Sequence, residues 1–417
     1  PSHSAWTKYQ GAETVGGGEM RDDTVMSGPL DGIRVLDFTR VVAGPLATRM
    51  LADQGAEVIK IEPPEGDLSR TFPPLSENGV TPYFAQQNAG KRFCSVDLAA
   101  PGAVDLILEL VAESDVLVEN YRPGIMAKFG LGPDELCERF PRLVYCSITG
   151  FGQDGPWAQR RAYAPIGHLE SGFLAYDQQK LGRIPRQPAM VLGDVSAAMT
   201  AASSINAMLV KAGRTGVGGA LDVSMIESMV YLQEWVSTEL AGGVEGTNAG
   251  AADECPILHL PNGDTWGVAG NPVAWFDHLL VAMDRPDLAS DERFADPIAR
   301  EANKEALVAI MTTWAATFAT FDDFRLHLEG TSPFTTAELR SIGELAETEF
   351  AAHRRLFVTT EAGFRLPARP ASGHDIGTDG HVAARGADTR QVLADVLGVD
   401  AARYEALVAD GAISHHE

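Results

Sequence analysis

The chain has 417 residues, which at about 150 residues per domain predicts two or three folding units. Its 57 acidic residues outnumber its 33 basic residues and give a formal net charge of −24. This balance excludes a general nucleic-acid binder, because phosphate backbones are held by clustered cationic side chains. A site for one small anionic ligand is still compatible with it, since binding depends on the charge near the site.

The cysteines and the lack of a long apolar run indicate a cytoplasmic protein. Cys94, Cys137, Cys146 and Cys255 show no metal-type spacing, and four thiols fit a reducing compartment. No run of about 18 apolar residues occurs, so we expect neither a membrane span nor a membrane partner. Residues 1–28 are polar and glycine-rich, and we expect them to form a loose leader.

The first half of the chain alternates between strand and helix patterns. Strand patterns lie at residues 33–38, 56–62, 95–98, 116–118 and 143–148. Helical patterns lie at residues 43–54, after Pro101 and at residues 134–140. Strands and helices that alternate at this rhythm predict a doubly wound, Rossmann-like α/β layer.

The second half is predicted to be richer in helices. In chain order we expect a helix at 194–211, a strand at 220–224 and a helix from Ile226 to about Leu240. A glycine-rich hinge or loop is expected at 241–252, and a hairpin turn at 261–264 should precede a strand at 265–268. Helices should dominate from 275 to about 346, and a last helix is expected at 390–397. The last helix is apolar enough to return to the first domain.

The common cofactor and catalytic fingerprints do not occur in the sequence. There is no GxGxxG after the first strand, no GxxxxGK[ST], no GxSxG and no HExxH. The glycine-rich stretch at residues 150–156 contains aspartate and proline and is more typical of an irregular loop than of a phosphate-binding turn. No metal site is therefore predicted.

Asp194 and Tyr163 of the central region each have a structural and a catalytic interpretation. Asp194 precedes a helix, where it fits an N-cap or a carboxylate nucleophile that the helix N-terminus keeps ionised. Tyr163 fits a half-buried ring with a paired hydroxyl or a residue of the active site. His168 fits a structural histidine. Residues 120–124 end a strand, where open α/β sheets bind ligands, although Arg122-Pro123 also fits an ordinary turn.

Short motifs follow one another in a specific order over residues 29–400. They are PLDGIRVLDF at 29–38, AGP at 43–45, GAEVIKIE at 55–62, GD at 66–67, KR at 91–92, VENYRPG at 118–124, GFG at 150–152, GD at 193–194 and, more weakly, DERF at 291–294 and residues 300–303. In this order and spacing the sequence resembles the class III CoA-transferase family, which includes formyl-CoA transferase and carnitine CoA-transferase.

The resemblance implies a fold and an assembly. The fold class is α/β, with a Rossmann-like doubly wound large domain and a smaller α+β domain, joined by long linkers near 212–250 and 325–370 into an interlocked homodimer. The implied division is a leader at 1–28, the large CoA-binding domain at 29–224, a linker helix and small domain at 225–345, and a return linker with the C-terminal part of the large domain at 346–417.

The resemblance also assigns roles to individual residues. Asp194 matches the catalytic aspartate of the family, and Tyr163 lies in the segment beside the thioester. The residues that match CoA-binding positions are Val42, Ala43, Val96, Asp97, Leu98, Ala99, Asn120, Tyr121, Arg122, Lys128, Arg160, Arg161 and Ala162. CoA enters as a co-substrate, and no other cofactor is expected.

Several positions depart from the family pattern. Pro63 stands where a basic residue often contacts a CoA phosphate, and Arg70 or Lys128 is the predicted replacement. Phe93 replaces a small hydroxyl residue, and GADT at 386–389 replaces GEHT. The only candidate for a glycine-rich shielding loop is the stretch at 242–252.

The implied activity is transfer of CoA from an acyl-CoA to a free carboxylic acid through aspartyl anhydride and aspartyl-CoA thioester intermediates.

The first alternative is an α-methylacyl-CoA racemase, which needs a histidine and an aspartate as acid and base. The nine-residue step to Gly172 puts Tyr163 where that histidine belongs, and tyrosine, with an ordinary pKa near 10, is a poor base at neutral pH. The second alternative is a non-catalytic CoA-binding subunit, against which the presence of Asp194 argues.

Overall fold

A computed structural model describes residues 28–75, 80–181, 184–242, 255–370 and 380–414 of the chain. The predicted leader, apart from its last residue, and the candidate shielding loop, apart from Gly242, lie outside the described residues.

The described strands are short and fall into three sheets. They are β1 (Arg34–Asp37), β2 (Glu57–Glu62), β3 (Lys91–Ser95), β4 (Val116–Glu119), β5 (Val144–Thr149), β6 (Gly219–Ser224), β7 (Ile257–His259), β8 (Thr265–Ala269), β9 (Thr335–Glu338), β10 (Phe357–Thr359) and β11 (Arg365–Pro367).

The helices of the described ranges surround these sheets. They are α1 (Ala43–Ala52), α2 (Pro82–Asn88), α3 (Ala103–Ala112), α4 (Pro133–Arg139), α5 (Ala164–Glu170), α6 (Phe173–Leu181), α7 (Leu192–Thr215), α8 (Met225–Leu232), α9 (Val236–Leu240), α10 (Phe276–Met283), α11 (Pro297–Ala302), α12 (Lys304–Ala315), α13 (Phe321–Thr331), α14 (Ile342–Ala346), α15 (Glu349–Arg354), α16 (Thr389–Leu397) and α17 (Ala401–Ala409).

The main sheet confirms the predicted Rossmann-like layer. Its six described strands run in the order β3-β2-β1-β4-β5-β6, and all five neighbouring pairs are parallel. This is the strand order of dinucleotide-binding folds, in which the order reverses between β1 and β4 and leaves a crevice above the carboxyl ends of those strands.

Alternating side chains of the strands build one core on each face of the main sheet. Leu36 and Leu117 point to a core that contains residues of α3 and α4, whereas Val35 and Val116 point to a core that contains residues of α1 and α7. The apolar runs of these strands are therefore buried on both sides, as parallel sheets require. Val392 of α16 lies in the first core, so the last predicted helix does return to this layer.

The second sheet is antiparallel, in the order β7-β8-β9, and packs with helices α10, α12 and α13. The predicted hairpin turn at 261–264 is confirmed, because it joins β7 to β8. Trp266 of β8 is buried and stacks on Phe324 of α13, with ring centroids 5.0 Å apart. Helices dominate residues 275–346 as predicted, and the strand β9, whose alternate residues are exposed, also lies there and pairs with β8.

Two predictions need correction. The third strand is residues 91–95 and not 95–98, because the charged Lys91 is buried within it. The single helix predicted at 226–240 is broken between α8 and α9, where Gln233 takes an extended backbone and its side-chain amide donates to the carbonyl oxygens of Ser171 and Met229. The described parts of the predicted linkers contain regular elements, among them β6, α8 and the β10–β11 hairpin, and their role as linkers stays a prediction.

Candidate active site

A cleft of about 560 Å³ opens above the carboxyl ends of β1, β4 and β5. Its walls come from the segments that follow β1 and β4, from the end of β5 and from residues 158–163, and Asp194 and Met225 complete the lining. The cleft thus occupies the position where the reversal of strand order in such a sheet places a ligand.

The cleft is basic in a strongly acidic protein. Four arginines line it, and among its described lining residues Asp194 is the one acidic residue. Arg160 is held, because it pairs with Glu170 and its guanidinium lies 4.6 Å from the ring centroid of Phe151. The described residues offer no hydrogen-bond or ion-pair partner to the guanidinium groups of Arg122 and Arg161, so these two groups remain available for an anion.

Asp194 stands in the first turn of the long helix α7 and not at its N-cap. The N-cap is Val191, which has no capping side chain, so the N-cap interpretation of Asp194 was wrong. The backbone N–H of Ala164, the first residue of α5, instead lies near this carboxylate and lowers its pKa. The starts of two helices therefore meet at this carboxylate.

Burial changes the acidity of this group. It raises the pKa of Asp194 to about 6 from its ordinary value of 3.8, and the N–H of Ala164 opposes this only in part. The helix N-terminus was expected to keep the group strongly ionised, but desolvation outweighs that effect. Asp194 is consequently mostly ionised at neutral pH and more nucleophilic than an exposed aspartate.

His168 supports the start of α7. It is buried, its Nε2 accepts the N–H of Gly193 at 3.1 Å, and its Nδ1 lies 2.7 Å from Oε1 of Gln187. This pattern fits the neutral imidazole with its proton on Nδ1. Both ring nitrogens are occupied, so His168 has the structural role that was predicted for it.

Glycines allow α5 and α7 to approach each other closely. A Cβ at Gly193 would lie 2.9 Å from Sδ of Met225 and 3.2 Å from Cα of Ala164. A Cβ at Gly167 would lie 2.8 Å from the same sulfur. A larger residue at either glycine would therefore require Met225 to move, and at position 193 it would also crowd the backbone of Ala164.

The predicted CoA-binding turn after β4 is held by its own side chains. Nδ2 of Asn120 donates to the carbonyl of Arg40 at 2.9 Å, and its Oδ1 accepts the N–H of Arg40 at 2.8 Å. Glu119 accepts the N–H of Tyr121 at 2.8 Å, and burial raises the pKa of this carboxyl to about 7. The amide of Asn120 is therefore used to join two loops of the cleft.

The structure brings most of the predicted site residues together. The cleft is lined by Ala43, by residues 120–122, by residues 160–163 and by Asp194. Tyr163 is the N-cap of α5 and is 65% exposed, so it is not the half-buried ring of the structural interpretation.

Other predicted positions are not part of the cleft lining. Val42 is buried at the start of α1, and Lys128 is exposed on the 3-10 helix that follows the turn after β4. Val96, Asp97, Leu98 and Ala99 follow β3, where Val96 bridges Ile413 and Oδ1 of Asp97 accepts the N–H of Ala99. These positions lie at the carboxyl ends of strands of the same sheet, and their contact with CoA stays a prediction.

Sequence reasoning missed several residues of the site. Arg40 and Val41 line the cleft beside the predicted Ala43, and Met225 closes it from α8. Tyr83 of α2 lies near enough to Asp194 for the aspartate to raise its pKa, although burial is the larger cause. The Thr81-Pro82 start of α2 was a usable signal, because Oγ1 of Thr81 caps the helix and proline fits its first position.

By fold and site, this is an α/β protein whose main cleft surrounds one partly buried carboxylate with four arginines. The described residues contain no group of three or more histidine, cysteine, aspartate or glutamate side chains that could hold a metal ion. None of the described helices combines the length and apolarity needed to cross a bilayer.

The chain belongs to CoA-transferase family III, whose family model matches residues 30–383, and it is an enzyme of that class. It is 31% identical to succinyl-CoA:glutarate CoA-transferase of Mus musculus over 412 residues, which cover 96% of this chain and 94% of that protein. It is 35% identical to acetyl-CoA:oxalate CoA-transferase of Acetobacter aceti over 294 residues, which cover 68% and 74% of the two chains. A CaiB/BaiF family protein from Brucella suis matches 89% of this chain and all of its own, with a TM-score of 0.75 and 28% identity.

Proposed function

We propose that this enzyme moves CoA from an acyl-CoA thioester to a free carboxylic acid, with Asp194 as the covalent nucleophile. The observation that carries the proposal is the carboxylate of Asp194, whose pKa burial raises to about 6, in a cleft lined by four arginines. A carboxylate attacks a thioester best when it is ionised but poorly solvated, and this environment supports both conditions.

The chemistry exchanges carboxylates and thiolates and needs no net proton transfer. An oxygen of Asp194 attacks the thioester carbonyl, the C–S bond breaks, and a mixed anhydride and the CoA thiolate form. The thiolate then attacks the aspartyl carbonyl, and the donor acid leaves as a carboxylate with the oxygen that came from Asp194. The acceptor carboxylate repeats these steps in reverse and restores the aspartate.

The N–H of Ala164 is the proposed oxyanion donor. It lies near the carboxylate of Asp194 and lowers its pKa, so it can also stabilise the aspartyl carbonyl oxygen that becomes negative when the thiolate attacks. Its position at the start of α5 adds the favourable end of the helix dipole.

Arginines of the cleft are the proposed partners of the CoA phosphates and of the acid. Arg122 and Arg161 have no partner among the described residues and suit bidentate contacts with phosphate or carboxylate. Arg70 is not available, because it donates twice to Glu62 and lies 3.7 Å from the ring centroid of Phe84. The predicted replacement for Pro63 is therefore Lys128 and not Arg70.

The remaining predicted CoA contacts extend from this cleft along the sheet. Val42, residues 96–99 and Lys128 follow β1, β3 and β4, whose carboxyl ends share one edge of the parallel sheet. We propose that the thioester lies at Asp194 and that the nucleotide end of CoA reaches the ends of β2 and β3.

A short dicarboxylic acid is the proposed acceptor. The relatives named above act, by their names, on glutarate and oxalate, each of which carries a second carboxylate. An excess of arginine over acidic residues in the cleft suits such acids better than uncharged ones.

The racemase alternative receives no support from the geometry. That reaction needs a free histidine opposite the aspartate, but Tyr163 occupies the corresponding position and His168 has a partner on each ring nitrogen.

A homodimer is proposed for the assembly, interlocked as the resemblance implies. Large apolar side chains of α7, α8 and α9 are more than half exposed, as expected for surfaces that a second copy covers; they are Met199, Val210, Tyr231, Leu232 and Leu240. Light scattering that shows a stable monomer would contradict this proposal.

The test is a panel of acyl-CoA donors and free acids in heavy water, with products separated by chromatography. The proposal expects a new acyl-CoA with glutarate or oxalate and no deuterium at the α carbon. Deuterium uptake without transfer would establish the racemase reaction instead. CoA binding with neither product would establish the non-catalytic subunit.

A further inference from the structure

We propose that Asp67, paired with Lys60, is a positioning residue for CoA binding that holds Val41 in a left-handed backbone conformation at the wall of the cleft. This inference rests on the proposed function, since it assumes that CoA occupies the cleft. Its basis is the loop at residues 38–42, which joins β1 to α1 and is called here the β1–α1 loop.

Val41 has a backbone angle that valine avoids. Its φ is +69°, in the left-handed region, where the Cβ of an L-residue crowds the following carbonyl oxygen and a β-branched side chain is especially rare. Val41 and its neighbour Arg40 line the cleft. Such conformations persist only where the surroundings fix them, and they cluster at functional sites.

Asp67 supplies the contact that fixes this angle. The N–H of Val41 points between the two carboxylate oxygens of Asp67, which lie 3.2 and 3.3 Å from the Val41 nitrogen. Asp67 is itself fixed, because it also accepts the N–H of Ser69 at 2.9 Å and the hydroxyl of Ser69 at 2.8 Å. The carboxylate therefore cannot follow the loop if Val41 relaxes.

Lys60 completes the arrangement from β2. Its Nζ lies 3.1 Å from Oδ2 of Asp67 and donates to the carbonyl of Thr39 at 2.8 Å. The pair thus holds the β1–α1 loop on both sides of Arg40, whose own N–H and carbonyl are bound by Asn120. Both peptide groups that flank Arg40 are therefore bound by side chains from other segments of the chain.

Stability alone does not explain this arrangement. The side chains of Lys60 and Asp67 are 0% and 1% exposed, and buried ion pairs are often no better for stability than apolar residues of the same size. A glycine at position 41 would remove the steric conflict at once. A strained valine next to a buried pair is therefore best explained by the shape it gives to the cleft.

The test removes the pair and then removes the strain. In the variant K60M/D67N we expect CoA to bind about tenfold more weakly or worse by calorimetry, the scale of losing a hydrogen bond to a charged group, with the circular dichroism spectrum unchanged. Adding V41G should restore most of the affinity, because glycine adopts this φ freely. Adding V41A is the matched control and should not restore it, because alanine keeps the Cβ that causes the conflict.

The outcomes separate this inference from the proposed function. If the wild-type protein does not bind CoA, the proposed function fails. If the wild type binds CoA and K60M/D67N binds it equally well, the positioning role of the pair is refuted alone. Equal recovery with glycine and alanine would refute the backbone argument. Should K60M/D67N not fold, D67E keeps the charge for Lys60 but moves the carboxylate, and the same glycine-against-alanine comparison decides.

Discussion

Replacing Asp194 by asparagine should abolish CoA transfer and also make the folded protein more stable at neutral pH. Burial raises the pKa of this carboxyl from 3.8 to about 6, so the folded state binds its proton more tightly than the unfolded state does. Ionising it then costs folding free energy, and a difference of about two pKa units at ~1.4 kcal/mol each is about 3 kcal/mol. This cost is absent below the unfolded pKa, grows as the pH rises, and is complete above about pH 6.

The assay is thermal unfolding of the wild type and the D194N variant at pH 4 and pH 8. At about 2–4 °C per kcal/mol for a domain of this size, the variant should melt roughly 6–12 °C higher at pH 8, and the gap should nearly close at pH 4. Transfer should fall by about 10⁴-fold or more, as for the loss of a covalent nucleophile.

A matched control is available in α3, where Asp105 also stands third in the helix but is exposed. D105N should bring no gain in stability at either pH, because an exposed carboxylate stabilises a helix start by ~0.3–1 kcal/mol. If D194N is no more stable than the wild type at pH 8, or if D105N gains as much, the conclusion that burial raises the pKa of Asp194 is refuted.

Three further predictions concern the same cleft. The pH profile of kcat/KM should fall as the pH drops through about 6, because Asp194 must be ionised, and a flat profile from pH 5 to 8 would contradict this. G193A should lose most of its activity and melt lower, because its Cβ would meet Met225. G213A, in the open part of the same helix, should keep its activity and gain up to about 1 kcal/mol in free energy of unfolding. Equal effects of the two substitutions would contradict the packing argument. R161Q should raise KM for acyl-CoA about tenfold without lowering the melting temperature, and an unchanged KM would exclude Arg161 from binding.

The main sheet was predictable because its strands are short apolar runs separated by helices. The exception is β3, whose first residue is Lys91. It is fully buried, and its Nζ donates to Oδ2 of Asp37 at 2.8 Å and to Asn88 at 2.8 Å. The pattern of apolar residues alone does not predict a buried strand that begins with a charged residue, because the partner Asp37 comes from a distant part of the sequence.

The site residues that lie in sequence motifs were predictable, whereas the features of the site that depend on packing were not. Asp194 and residues 120–122 and 160–163 were found from the order of motifs, and the structure brings them to one cleft. The left-handed angle of Val41 was not predictable, since valine normally avoids it. The acidity of Asp194 was predicted in the wrong direction, because a helix start can be recognised from sequence but the burial of its first turn cannot.

The measurement that tests the central claim most directly follows the oxygen atoms of the acceptor acid. The enzyme is incubated with acyl-CoA and an acceptor labelled with oxygen-18, and the peptide that contains Asp194 is analysed by mass spectrometry. Covalent transfer returns one acceptor oxygen to the aspartate in each turnover. Over repeated turnovers the peptide should therefore gain oxygen-18, and the donor acid released from the second turnover onward should carry label that it takes from the aspartate. A labelled donor acid with an unlabelled peptide would mean that the acceptor attacks the thioester directly, and Asp194 would not be the nucleophile.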